Sequence, residues 1–277
     1  MPQPILTGGW IFAVLAVFLP AIVHADPLPA ATWTESVTLK ASALTNNYLG
    51  VDNGLPEPLT GTLSSSSYVI DGNVAFGEPG PPSITVHAHL STGGNYSDDY
   101  HATSQSAVSF DFQIVQTHLP PVAVDYVPIL ITSRGSVYAA GSCDFYCTGG
   151  TAQGSMVVTT NGAEVFNEAA SVNVKTGSSQ QVSLDATKAI SVQPGTVLHG
   201  TIQVFTTAGV EILGANASGT ASLGSGFDIT SAFIPGTEYQ YRDFFQIEYS
   251  PGYFALGNPI PVIPATWGKL KSLYSKP

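Results

Sequence analysis

The sequence predicts an all-β protein, an antiparallel β-sandwich of jelly-roll-like form behind a helical N-terminal signal segment. Three observations carry this. Apolar residues after Asp26 recur with period two; Gly, Pro, Asn and Asp cluster between the alternating runs; and no stretch of the body keeps a helical apolar stripe over twelve residues. A strand with one apolar face must bury it, and without helices a second sheet is the available cover.

At the N-terminus, residues 11–23 form an apolar run broken only by Pro20, and Val23-His24-Ala25 offers small residues ahead of Asp26. This reads as a secretory signal peptide cut after Ala25. Lys and Arg are missing from its front, so an uncleaved anchor is the alternative, although the run is shorter than the ~20 apolar residues a spanning helix needs. The expected organisation is a signal peptide at 1–25, one β-sandwich domain at 26–258, and a Pro-rich linker with a basic amphipathic tail at 259–277.

Alternation then marks the strands. Ser106–Gln116 is the clearest, with Val108, Phe110, Phe112 and Ile114 on one face and Ser109, Asp111 and Gln113 on the other. Ser83–Thr92 turns Ile84, Val86, Ala88 and Leu90 inward and Thr85, His87 and His89 outward. Thr32–Ala41 places Trp33, Val37, Leu39 and Ala41 together. Shorter strands are expected at 67–70, 73–76, 127–132, 155–160, 164–166, 170–174, 181–184, 188–192, 196–206, 217–221 and 244–249. Asn53-Gly54, Asp71-Gly72 and Asn161-Gly162 read as two-residue turns. Gly77–Pro82 and His118-Leu-Pro-Pro121 read as loops, because Pro cannot donate to a ladder.

Charge excludes some partners. Charged residues make up 10% of the chain, against ~25% in ordinary globular chains. Between Asp26 and Pro264 there are five basic residues against nineteen acidic ones. A body this acidic does not hold nucleic acid by neutralising phosphates, nor does it favour anionic lipid. The tail differs. Residues 265–277 carry Lys269, Lys271 and Lys276 and no acid, and Trp267, Leu270, Leu273 and Tyr274 share one helical face. Such a segment lies on a membrane interface, is read by a partner, or frays. Membrane contact is expected only through an uncleaved signal or this tail.

The two cysteines, Cys143 and Cys147, have three residues between them. Outside the cytoplasm they read as a disulfide pinning a hairpin tip. A redox pair normally has two intervening residues, and no second thiol pair completes a zinc site.

The ending Thr266-Trp-Gly-Lys-Leu-Lys-Ser-Leu-Tyr274 resembles the tails of uncharacterised exported bacterial proteins. The body from Val127-Pro-Ile-Leu-Ile to Tyr249-Ser-Pro-Gly252, including Phe227-Asp-Ile, is similar to exported proteins of the PEP-CTERM-associated type. The resemblance implies export and a β-rich fold, but no activity. The chain departs from that group in having no Pro-Glu-Pro followed by an apolar span and an Arg cluster, so sortase-like anchoring is not implied.

Three chemistries remain to weigh. His87 and His89 point to the same strand side, and Asp98-Asp99-Tyr-His101 follows; His87, His89, Asp99 and His101 together would suit zinc, copper or nonhaem iron. The plainer account is two polar residues on a wet face, which leaves the protein without a cofactor. The oxygen-rich turns lack the spacing of an EF-hand, and no Gly-x-Ser-x-Gly elbow or phosphate-cradling loop exists. Tyr239, Tyr241 and Tyr249 would stack on sugar rings if exposed, or fill a core. The resulting expectation is an exported, non-catalytic structural or binding protein, secreted or at the cell surface, facing a surface polysaccharide or envelope component. A lectin-like module and a metal-dependent jelly-roll enzyme are the alternatives.

Overall fold

Every second residue of Thr32–Ala41 (β1) is buried: Trp33, Glu35, Val37, Leu39 and Ala41. The same period recurs in the long inner strands of the computed structural model. It describes residues 27–41, 44–52, 58–65, 68–76, 83–92, 100–142, 149–175, 177–210 and 216–253. Strands β2 (Leu44–Asp52), β3 (Leu59–Ser64), β4 (Tyr68–Phe76), β5 (Ser83–Thr92) and β6 (Tyr100–Gln116) follow β1. Then come β7 (Val127–Ser142), β8 (Gly150–Thr160), β9 (Ala163–Asn173), β10 (Ser178–Val192), β11 (Val197–Val210), β12 (Asn216–Ile229) and β13 (Phe245–Tyr249). The described residues contain no α-helix, only a 3₁₀ turn at Tyr241–Asp243. The signal segment, the tail and the Cys143/Cys147 pair lie outside the described residues.

All pairings between these strands are antiparallel. One sheet has seven strands, in the order β2-β1-β6-β11-β8-β9 with β13 also on β6; the other has six, in the order β10-β7-β12-β5-β4-β3. The two share one hydrophobic core. This agrees with the expected sandwich.

Strand β6 organises the seven-stranded sheet. Its 17 residues extend ~58 Å at the usual rise. One of its edges pairs with β11 over residues 100–113. The other is shared: β1 pairs with residues 100–109 and β13 with residues 112–116. The chain between is tied down by Ala31 N–H donating to the Pro251 carbonyl (2.8 Å) and Ser250 N–H donating to the Asp111 carbonyl (2.8 Å).

Aromatic rings fill the middle of the core. Phe110 stacks on Tyr253, and Phe112 lies 4.4 Å from Phe227 between centroids. Gly200 faces Phe110 directly across the β11–β6 ladder. A Cβ there would clash with the outer carbons of the Phe110 ring, so the ring occupies the room that glycine leaves. A polar seam also crosses the core, with Glu35 opposite Ser106 and Ser104 opposite Thr206, all four buried.

Asn161-Gly162 is a tight hairpin turn as expected, both residues having positive φ (49° and 77°), as a type I′ turn requires. Asp71-Gly72 is not a turn. Both residues belong to the uninterrupted strand β4. Gly72 is needed there for close approach, because a Cβ on it would strike Ser104 Oγ and Val37 of the opposite sheet. Ser104 Oγ instead donates to the His87 carbonyl (2.7 Å), linking the sheets. The pieces expected at 164–166 and 170–174 are one strand, β9, and those at 181–184 and 188–192 are one strand, β10. Both are sheet edges. An edge buries little of its length, so its alternation is faint in sequence.

Candidate binding surfaces

Two surfaces bring chemistry together. The first is the outward face of the six-stranded sheet. Register aligns Gln181 (β10), Tyr138 (β7), Thr220 (β12), His87 (β5) and Asn73 (β4) in one row across five strands. His87 Nδ1 lies 2.9 Å from Thr220 Oγ1, and its Nε2 lies 3.8 Å from Asp71 Oδ2. The order carboxylate, imidazole, hydroxyl is that of a nucleophilic relay. The Asp71–His87 separation is too long for a hydrogen bond, and the hydroxyl stands on an open sheet face. As built, the row presents oriented polar groups beside a half-exposed ring, Tyr138, which suits binding. An open groove of about 410 Å³ adjoins it, lined by small residues including Ala140, Ser142, Ser179 and Ser218.

The expected histidine cluster is divided. His87 faces outward from the six-stranded sheet and His101 outward from the seven-stranded sheet, opposite Lys40 and Gly209, so the core lies between them. The backbone of His89 is in register with Asp71 and Ser218. Its side chain, and Asp99, lie outside the described residues. Among the described residues no three His, Cys, Asp or Glu side chains gather closely enough to hold a metal ion. A separate pair, His199 Nδ1 to Asp111 Oδ1 at 2.8 Å, stands on the outer face of the seven-stranded sheet.

The second surface is one end of the sandwich, where three connections cross between the sheets. These are residues 117–126 (β6 to β7), 193–196 (β10 to β11) and 230–244 (β12 to β13). Main-chain bonds fasten them to one another and to the sheets. Thr117 N–H donates to the Phe244 carbonyl (2.7 Å), Gly195 N–H to Ile114 (2.9 Å), and Thr230 N–H to Pro128 (3.1 Å). The last loop is further shaped by buried Ile234, whose N–H donates to the Tyr239 carbonyl (2.8 Å), and by Gln240 N–H donating to the Asp243 carboxylate (2.8 Å). On this ordered frame stand Leu119, Val122, Tyr126, Phe233 and Tyr239, with Val197 at the start of β11. They are six of the eight large apolar residues exposed among the described residues; Leu119, Tyr126 and Phe233 are 64, 59 and 58% exposed.

The three tyrosines proposed for stacking part company here. Tyr239 is exposed and meets Phe244 edge-on at 5.7 Å. Tyr241 is half-buried against the core. Tyr249 belongs to the inner ring cluster, near Phe112 and Phe227, and its hydroxyl donates to the Phe227 carbonyl (3.4 Å). Burial, with the Asp228 charge adding to it, holds its phenol well above the usual range. Sequence reasoning missed Thr220 and Asp71 because neither is near His87 in the chain; Thr220 is 133 residues away. Apart from Tyr239, it also missed the apolar end, whose residues are spread over two loops and the start of β11.

No family model matches the chain, and no curated protein matches it. Among solved structures it is similar to a protein of the infectious bursal disease virus Gx strain, at 11% identity and a TM-score of 0.22, over 80% of this chain and 61% of that one. The chain thus spans about 61% of that protein's length. A Gt-strain counterpart gives 11% identity and a TM-score of 0.19, over 89% and 75%. A mutant VP2 protein of the same virus gives 9% and 0.18, over 91% and 87%. Superpositions this poor carry nothing about function.

Proposed function

We propose that this is an exported, non-catalytic structural or binding protein whose working surface is the loop-bearing end of the sandwich. The observation that carries the reading is the concentration of exposed apolar side chains there, on loops already held by hydrogen bonds. Large apolar groups gathered on an otherwise polar surface mark a contact site, and a surface ordered beforehand loses less entropy on binding. The apolar run at residues 11–23 supports export, and the Cys143/Cys147 spacing supports an oxidising compartment. The PEP-CTERM-like segments are in keeping with both.

A jelly-roll-like connectivity is part of this reading. It is supported by the facing of β5 with β6, β7 with β8, β9 with β10 and β11 with β12 across the core, which nests the two sheets as a rolled ribbon would. A lectin-like role is the second reading, favoured by the exposed rings of Tyr126 and Tyr239 at the same end.

The experiment is envelope fractionation of the full chain, followed by binding of purified protein to isolated envelope and to a glycan array. Binding that falls with Phe233→Ser/Tyr239→Ser supports the working surface. Binding unchanged by that double variant overturns it. A blank array removes the lectin-like reading alone, and retention in the cytoplasm removes export.

A further inference from the structure

We infer that the basic C-terminal segment, residues 265–277, docks on the loop-bearing end of its own chain; the inference rests on reading that end as the working surface. Both halves of the contact are complementary. The end exposes Leu119, Val122, Tyr126, Phe233 and Tyr239, and its crossing loops carry three acids, Asp125, Glu238 and Asp243, against one cation, Arg242. The segment supplies Trp267, Leu270, Leu273 and Tyr274 with Lys269, Lys271 and Lys276, and no acid. An acidic rim disfavours anionic lipid and suits a cationic apolar peptide.

Reach decides between this chain and another copy. The described chain ends at Tyr253, stacked on Phe110. Phe110 pairs with Gly200, three residues from Val197 at the exposed end, so the distance to cover is ~10 Å. Residues 254–264, partly proline-rich, extend to ~34 Å at ~3.1 Å per residue. A tether of this length holds its end at an effective concentration of ~1 mM, well above a second copy in dilute solution. Exposed ion pairs contribute little each, so the apolar contact dominates and salt weakens docking only in part.

The test uses the full chain. Trypsin cleavage after Lys269 and Lys271 is timed by mass spectrometry in the wild type, in Phe233→Ser/Tyr239→Ser, and in Asp125→Lys/Glu238→Lys, with circular dichroism confirming that each variant is folded. Trp267 emission is isolated as the difference between wild type and Trp267→Phe. Docking predicts cleavage about tenfold slower in the wild type, which is ~1.4 kcal/mol of protection, and blue-shifted Trp267 emission that moves to the red in both variants. Equal cleavage rates with red, quenchable emission overturn it. So does protection that grows with protein concentration, which would mean a second copy, or protection that needs phosphatidylcholine vesicles, which would mean lipid. If cleavage is unaffected while envelope binding still falls in Phe233→Ser/Tyr239→Ser, this inference fails alone. If neither responds, the working-surface reading fails with it.

Discussion

The ring of Tyr253 lies flat on that of Phe110, with centroids 3.6 Å apart and planes 10° from parallel. Its hydroxyl is 2.6 Å from Ser225 Oγ. One side chain near the chain's end thereby joins β6 of one sheet to β12 of the other. Trp33 Nε1–H donating to the Gly252 carbonyl (3.1 Å) holds the same segment against β1.

Removing the Tyr253 hydroxyl should therefore cost more than a surface bond. Ser225 is buried, and Tyr253→Phe leaves its hydroxyl unpaired, a loss of ~1–3 kcal/mol. Tyr253→Phe/Ser225→Ala should recover part of that loss. Chemical denaturation of the four members of this cycle measures it; additive losses would show that the two hydroxyls are not coupled.

Alkaline pH should unfold the protein through the same cluster. Burial raises the phenols of Tyr249 and Tyr253 above their ordinary value; the Ser225 bond only partly opposes this for Tyr253. With folded pKa values above the unfolded ~10, the native state binds protons more tightly. Their contribution to stability is complete below pH ~10 and is lost as pH climbs from there toward the folded values. Tyrosinate absorbance should show two phenols that ionise only with loss of near-ultraviolet dichroism. Ionisation of all twelve tyrosines in the native fold would contradict this.

Gly200→Ala should destabilise the core. The added methyl enters space held by the Phe110 ring, and Tyr253 stacked on that ring limits how far it can move. Overpacking of this kind costs ~1–3 kcal/mol. Thermal melting measures it, and Gly200→Ala/Phe110→Leu should melt higher than Phe110→Leu would by simple addition of the two losses.

Gly162→Ala should be milder and local. Position 162 has φ of 77°, which a Cβ disfavours by ~1 kcal/mol, while nothing lies within 4 Å of the added methyl. Hydrogen exchange should quicken along the β8–β9 hairpin and stay unchanged in β6. Uniform quickening across both sheets would mean that the hairpin does not open separately.

Strands β1 and β5 have the limits that alternation predicts, Thr32–Ala41 and Ser83–Thr92, because each has neighbours on both edges and a face turned to the core. Glu35 shares the inner side of β1, a place its charge alone would not suggest; the fold buries it opposite Ser106. Gly72 reads as a turn by its neighbour Asp71, and only the approach of Ser104 and Val37 from the other sheet reveals why a strand needs glycine there.

By itself the sequence determined the β-rich character of the body, since period-two burial in a body with no helical stripe calls for cover by other strands, and it set the acidic body apart from the basic tail. Tertiary structure alone decided which tyrosines are buried, which sheet each histidine faces from, and that Leu119, Tyr126, Phe233 and Tyr239 share one end. Those relations depend on strand order and on loops that cross between sheets. A side chain's period reports its face, but not the neighbour that face will meet.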